Sequence, residues 1–131
     1  MRWAVPIVRT LLGLVFFVFG LDYFLKFMPT PEPPSGPPGD YVGALAGSGY
    51  LTAIKVLEVT GGAILLSGKF APLGITMLTP IIVNILLFEV CLAHQPGIGV
   101  ALTAMAGFLI AGYRGHFKSV FAMDAKVSCC T

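Results

Sequence analysis

The sequence predicts an all-α fold, an integral membrane four-helix bundle with both termini in the cytoplasm. Of its 131 residues, 56% are hydrophobic and only 11% are charged, whereas soluble domains have about 25% charged residues. The apolar residues gather into four long runs, and most positive residues fall in segments that would share one side of a membrane. The alternative, a soluble bundle with an unusually apolar core, is disfavoured by this composition.

Each apolar run is close to the length of one membrane span. The runs cover about residues 5–27, 50–67, 72–92 and 98–113. A helix needs roughly 17–25 residues to cross about 30 Å of hydrocarbon, and the last run is the shortest. The connections are too short for a further domain, so we expect one bundle over residues 1–113 and a cytoplasmic tail over 114–131. The first run lacks a small-x-small cleavage site, so it is predicted to be a retained helix rather than a secretory signal.

Charges on the connections predict the orientation. The positive residues of one side are Arg2, Arg9, Lys69, Arg114, Lys118 and Lys126. The loop over residues 28–49 has Glu32 and Asp40 but no Lys or Arg, so it is placed outside the cell. Its stretch MPTPEPPSGPPGD, residues 28–40, predicts extended polyproline II without a helix. We interpret it as a stiff spacer, with a recognition element as the alternative.

Small residues predict where helices pack closely. One stripe of the first span contains Arg9, Gly13, Phe16 and Gly20. Gly61 and Gly62 in the second span would let either a neighbouring helix or a flat ligand approach the backbone. Gly68 and Pro72 predict a tight antiparallel hairpin between the second and third spans.

Charged residues inside the spans are the candidate functional residues, because ionisable groups are costly in hydrocarbon. A rise of about 1.5 Å per residue places five of them in one layer of the outer half of the membrane. These five are Asp22, Lys26, Lys55, Glu58 and Glu89, and Arg9 near the inner end of the first span is a sixth candidate. No metal-ligand set is predicted among them.

Counting charges in this layer leaves one carboxylate without a positive partner. Either that carboxyl exchanges a proton with a ligand, or Glu89, which is closest to the interface, simply reaches water. Glu58 is too far from the boundary to reach water and is expected to face the bundle interior. The pair of Lys55 and Glu58 then either binds a ligand or only fixes the helix register.

Several other chemistries are excluded. His94 and His116 are predicted on opposite sides of the membrane, so they do not hold a haem together. Cys91 is likewise on the other side from Cys129 and Cys130, and the chain has no CxxC motif. The two tail cysteines are interpreted as a frayed end, with a reactive pair as the alternative. The net charge of +2 without a basic tract argues against nucleic acid as a partner.

The stretches RTLLGLVFFVFGLDYFLKF and GYLTAIKVLEVTGGAILLSGKFAPLGITMLTPIIVNILLF resemble the DoxX family of small four-span membrane proteins. The resemblance covers roughly residues 9–112. Its recurrent features are matched by Arg9, Gly20, Lys26, Glu58, Gly61 and Gly62. The resemblance implies a membrane bundle in the bacterial inner (plasma) membrane. Members of this family resemble the small membrane subunit of a thiosulfate:quinone oxidoreductase, so the resemblance also implies a link to quinone.

Two functional hypotheses follow, and neither settles whether the chain is itself an enzyme. In the first, the protein is a redox-linked subunit in which Glu58, Lys55, Arg9 and Lys26 line a pocket for a quinone or lipid-like ligand. In the second, it is a structural or assembly subunit whose polar layer only locks the helices. Both expect the lipid bilayer and other membrane subunits as partners. A transporter or channel is disfavoured because no inverted repeat is evident.

Overall fold

The computed structural model describes residues 3–27, 29, 32, 35–124 and 126. Over these residues the chain is helical and contains no strand, which confirms the predicted all-α class. The helices are α1 (Ala4–Leu25), α2 (Pro37–Ser48), α3 (Tyr50–Ser67), α4 (Ala71–Leu87), α5 (Ile98–Gly112) and α6 (Arg114–Phe117). A π-helical turn, Phe88–Leu92, continues α4, and a 3-10 turn, Lys118–Phe121, continues α6. Arg2, Cys129 and Cys130 lie outside the described residues.

Three helices are long and apolar enough to cross a membrane. They are α1 with 22 residues, α3 with 18, and α4 together with its π-helical turn, again with 22. The segment Arg114–Phe121 leaves α5 at an angle of 84°. Helix α5 and this segment are long and apolar enough to cross a membrane only when they are taken together. The described residues therefore offer three spans, or four if the bent pair counts as one.

The four long helices α1, α3, α4 and α5 pack side by side in an antiparallel sense. Helix α1 packs against α3 and α5, and α4 packs against the same two helices. Arg9 lies beside Gly68, and Val5 lies beside Gly112, so the start of α1, the α3–α4 turn and the end of α5 meet. We call this the basic end, because Arg9, Lys69 and Arg114 lie there. The opposite end is covered by α2, which packs on α3 and on the π-helical turn.

The centre of the four helices is apolar. Its fully buried side chains are Leu12, Leu65, Ile75, Leu78, Ile82 and Leu109. The turn between α3 and α4 has the tight form that was predicted, since Gly68 ends α3 with φ of 77° and Pro72 lies in the first turn of α4. The hairpin prediction is thus confirmed.

The prediction that residues 28–40 exclude a helix is wrong at their C-terminal end. Helix α2 begins at Pro37, and Pro38 follows it in the first helical turn. Proline is well tolerated there, because the first N–H groups of a helix have no partner within it and the fixed φ of proline suits the helix. Asp40 in the same turn favours the helix further through its charge. The loop over residues 28–49 therefore carries a helix of 12 residues.

Candidate functional site

A cavity of about 280 Å³ lies beneath α2, between α3, α4 and the π-helical turn. We call it the α2 cavity. Its apolar walls are formed by Val42, Leu45, Leu51, Ile54, Ile81, Ile85 and Phe88. Its polar groups are Tyr41, Lys55, Glu58, Asn84 and Glu89. The cavity thus collects three of the charged residues that the sequence singled out and surrounds them with apolar side chains.

Lys55 and Glu58 form an ion pair on the wall of this cavity. Nζ of Lys55 donates a hydrogen bond to Oε2 of Glu58 over 3.1 Å. Their spacing of three residues places both side chains on one face of α3. Glu58 is only 5% exposed and is the one charged residue that is buried within the described ranges. The pair offers an ammonium donor and a carboxylate acceptor to whatever occupies the cavity.

Tyr41 attaches α2 over the cavity. Its hydroxyl donates to Oδ1 of Asn84 at 3.0 Å and accepts from Nδ2 of the same amide at 2.8 Å. The Tyr41 ring also packs on Phe88 with the ring centres 5.5 Å apart. A second cavity, of about 330 Å³, shares Tyr41 and Asn84 with the first and extends to Tyr50, Leu57 and Pro80. The pair of Tyr41 and Asn84 therefore lies at the boundary between two adjoining cavities.

Glu89 connects the α2 cavity to the start of α5. Its Oε2 accepts hydrogen bonds from the backbone N–H of Gly97 at 3.0 Å and of Gly99 at 2.8 Å. A carboxylate at this position satisfies donors that have no partner within the helix and interacts favourably with its dipole. A Cβ atom on residue 99 would lie 2.7 Å from the same Oε2 and 3.0 Å from Cα of Leu86, so only glycine fits.

Among the described residues Glu89 has no positively charged partner, as the charge count predicts. The expectation that such a carboxylate is left unpaired is wrong for Glu89, because two backbone N–H groups satisfy it. The chain reverses direction after the π-helical turn, where His94 has a left-handed φ of 54°. This reversal brings the amides of Gly97 and Gly99 to the carboxylate. Backbone N–H groups carry no charge in the sequence, so counting charged side chains could not find this partner.

Arg9 and Lys26 do not line the α2 cavity, which corrects the four-residue pocket expected from the sequence. The Arg9 guanidinium lies beside Gly68, about 15 Å further along α3 than Glu58. There it interacts favourably with the C-terminal end of α3. Lys26 is exposed and ends α1 in a left-handed conformation with φ of 53°. Asp22 is half-buried on α1 and is also outside the cavity lining.

The predicted packing glycines lie between helices. A Cβ atom on Gly62 would lie 2.7 Å from the carbonyl oxygen of Gly13, and one on Gly13 would lie 2.9 Å from the carbonyl oxygen of Gly62. Gly20 faces Val59 in the same interface, and Gly61 faces Leu78 of α4. Neighbouring helices occupy the space beside Gly61 and Gly62, so the alternative of a flat ligand against these two glycines is wrong.

Tyr41 and Asn84 are the cavity residues that sequence reasoning missed. They are 43 residues apart and lie on different helices, so no periodic pattern relates them. An asparagine in an apolar run is a usable signal for a polar contact, but it does not identify the partner. In the described part of the chain, no three His, Cys, Asp or Glu residues are grouped so that they could hold a metal ion.

Comparison of the chain with protein-family models, with curated proteins and with solved structures finds no match. The function must therefore be inferred from the geometry of the two ends of the molecule. Membership of the DoxX family stays a prediction from the residues quoted above.

Proposed function

We propose that the protein is a DoxX-like, multi-pass protein of the bacterial inner membrane that binds the polar head of a quinone or lipid-like amphiphile in the α2 cavity. In this proposal α1, α3, α4 and α5 form the transmembrane four-helix bundle. The grouping of Arg9, Lys69 and Arg114 at one end supports an orientation with both termini in the cytoplasm. The α2 cavity then lies in the outer half of the membrane.

The observation that carries this proposal is the ion pair of the buried Glu58 with the partly buried Lys55 on the wall of a mostly apolar cavity. An ion pair that only fixes helix register needs no space beside it, and the neighbouring glycine contacts already set that register. Ligand sites are mostly apolar, with a few placed polar groups that orient the ligand. The pair beside the apolar walls of the α2 cavity matches that description.

The size of the cavity limits the ligand. About 280 Å³ is close to the lower end of the roughly 300–1,000 Å³ that is common for ligand pockets, so it suits one ring-sized head group. The adjoining cavity beyond Tyr41 and Asn84 offers a path for an apolar tail. An amphiphile with a compact polar head fits these two volumes better than a polar solute in transit.

The chemistry proposed for the pair is proton exchange with the bound head group. The Lys55 ammonium would donate a hydrogen bond to a quinone oxygen and stabilise its anionic form. Glu58 would take up a proton from water at the outer face, pass it to the head group and return to the carboxylate, once for each of the two protons that the reduction needs. Full reduction of a quinone to the quinol takes up two electrons and two protons. The electrons come from a redox partner subunit in this proposal, so the chain acts as a quinone-binding subunit.

A second candidate function is assembly of a larger membrane complex without a ligand. It is favoured by the outer face of α5, where a Cβ on Gly107 would meet no atom within 4 Å. Such a small-residue surface allows a partner helix to approach closely. In this case Lys55 and Glu58 would only hold the helices in place.

The two functions are separated by purifying the protein in mild detergent and quantifying co-extracted quinone per folded chain. Glu58→Gln is expected to reduce the quinone content about tenfold, because loss of a hydrogen bond to a charged group costs about 1.5–3 kcal/mol. The matched control is Glu32→Gln, which removes an exposed carboxylate and is expected to leave the quinone content unchanged.

Unchanged quinone content in Glu58→Gln, together with unchanged quinone-linked turnover of the complex, would overturn the ligand proposal. The assembly function predicts a different pattern, in which Glu58→Gln lowers the melting temperature or the yield of the complex. The quinone bound per folded chain would then be the same as in the unmodified protein.

A further inference from the structure

We propose a second site, for an anionic phospholipid, at the basic end where α5 turns into α6. The lipid phosphate lies between Arg114 and Lys118, and one acyl chain lies along the outer face of α5. The residues of this site are separate from those of the α2 cavity, so the proposal rests on the membrane location proposed above but not on the quinone site.

An open cavity of about 600 Å³ lies in the 84° bend between α5 and the segment Arg114–Phe121. Its apolar surface includes Ile110, Phe117 and Phe121. Phe117 is buried and anchors the bend, whereas Phe121 is largely exposed. The cavity is larger than the α2 cavity and opens to the outside of the molecule, as a site for a bulky amphiphile requires.

The charges at this cavity select an anion. Arg114 and Lys118 both line it and are both exposed. Among the residues that the structure describes, neither takes part in an ion pair, and no carboxylate lines the cavity. The planar guanidinium suits two oxygens of a phosphate group, and a lysine beside it adds a second positive charge. Basic pockets next to membrane helices on the cytoplasmic side bind anionic lipid head groups in this way.

The groove above these charges accommodates an acyl chain. Gly107 and Ala111 are four residues apart on α5, so they share the face that lines the cavity. A Cβ added at Gly107 would meet no atom within 4 Å, so the small side chains leave open space there. The groove runs along α5 from the cationic residues toward the hydrocarbon.

The bend after α5 places the head-group position and the acyl-chain groove at the depths that a lipid in a bilayer requires. If α5 crosses the bilayer, the segment Arg114–Phe121 lies close to the membrane plane, because the angle between them is 84°. Its exposed Val120 and Phe121 suit the interfacial region, as in other in-plane amphipathic segments. The head-group phosphate is then at the level of Arg114 and Lys118, and the chain is at the level of Gly107.

The test uses the full-length protein in nanodiscs that contain equal amounts of phosphatidylglycerol and phosphatidylcholine. Native mass spectrometry then counts the phosphatidylglycerol molecules that stay bound to each chain after the protein is released from the nanodisc. We expect about one retained phosphatidylglycerol on the unmodified protein and about a tenfold loss in the double variant Arg114→Gln, Lys118→Gln. The charge-matched control is Lys69→Gln, Lys126→Gln, which removes two exposed positive charges outside the cavity and is expected to retain the lipid.

Gly107→Leu tests the groove without changing any charge, and the open space at Gly107 lets the protein fold normally. It is expected to lower lipid retention severalfold. The proposal is overturned if the control loses as much lipid as the Arg114 and Lys118 variant, since net surface charge would then explain binding. It is equally overturned if Gly107→Leu retains all its lipid. Lipid-free dimers that Gly107→Leu converts to monomers would also overturn it, because a second chain rather than a lipid would then cover this face of α5.

Discussion

Glu89 illustrates how one residue serves both structure and site. A single oxygen of its carboxylate accepts hydrogen bonds from two backbone N–H groups at the start of α5, and the same side chain lines the α2 cavity. The start of α5 is thereby held next to the wall that carries Glu58. Gly99 contributes to this contact by having no Cβ atom, which would collide with the carboxylate.

We expect Glu89→Gln to lower the free energy of unfolding by about 1–3 kcal/mol, because a neutral amide oxygen accepts weaker hydrogen bonds than a carboxylate. The measurement is thermal or denaturant unfolding of the purified protein in detergent. Glu32→Gln serves as the control, since Glu32 is exposed and its loss is expected to change stability by less than about 0.5 kcal/mol. Equal stability of the two variants would contradict the role given to Glu89.

At this scale the sequence is informative about charges and uninformative about their neutral partners. Lys55 and Glu58 stand out because charge is rare in an apolar run, and the structure pairs them across one turn of α3. Tyr41 and Asn84 do not stand out, since their contact depends on how α2 lies across α4. Arg9 lies near the end of α1 that is predicted to be the inner one, but the expected pocket that joined Arg9 and Lys26 to Glu58 is wrong for a geometric reason. Arg9 lies at the other end of an antiparallel helix pair, and Lys26 lies beyond the last turn of α1.

At the level of helices, α1 and α3 are joined by an interface in which glycines let the two helices approach closely. Gly13 and Gly62 bring the two backbones together, and Gly20 accepts the side chain of Val59. Close packing of this kind replaces the hydrophobic effect as the attraction between helices in lipid. The position of the Lys55 and Glu58 pair relative to α1 and α4 depends on this contact, because both residues lie on α3.

Gly62→Ala is expected to destabilise the protein by about 1–3 kcal/mol, because its Cβ would force the α1 backbone away. The added atom would lie 2.7 Å from both the Gly13 oxygen and the Phe17 nitrogen. Gly43→Ala in α2 is the matched control. Its Cβ meets open space, and alanine favours a helix over glycine by about 0.5–1 kcal/mol, so a small gain is expected. Unfolding in detergent measures both, and a Gly62→Ala protein as stable as Gly43→Ala would contradict the close contact.

The helices differ in how well the sequence predicts them, and α3 and α2 show why. The second apolar run and α3 cover the same residues, Tyr50–Ser67, because glycines bound the run on both sides. Helix α2 lies in a stretch whose many prolines suggested extended chain. The number of prolines matters less than their positions, since Pro37 and Pro38 fall only in the first turn of the helix. A rule based on composition alone therefore missed the element that covers the site.

For the molecule as a whole, exposed apolar side chains support a location in lipid. Leu11, Phe19, Leu73 and Val83 are each about half exposed on the outer faces of α1 and α4. In water such surfaces would favour aggregation, whereas lipid chains solvate them. The two cavities that are lined by charged residues lie at the two ends, with the α2 cavity at one end and the cavity beside Arg114 and Lys118 at the other. In the proposed membrane location, the distribution of positive charge predicts that the basic end faces the cytoplasm.

Labelling of single cysteines in intact cells tests this orientation. The background replaces Cys91, Cys129 and Cys130 by serine, and one cysteine is then introduced as Gln95→Cys or as Ser67→Cys. Both positions are exposed. Gln95 lies in the connection between the π-helical turn and α5, and Ser67 is the last residue of α3, at the basic end. Because positive segments stay in the cytoplasm, a membrane-impermeant maleimide is expected to label residue 95 in intact cells and residue 67 only after permeabilisation.

Detergent-solubilised protein, in which both cysteines react, is the control for reactivity. Labelling of residue 67 alone would reverse the orientation, and labelling of both in intact cells would contradict a membrane crossing by α4.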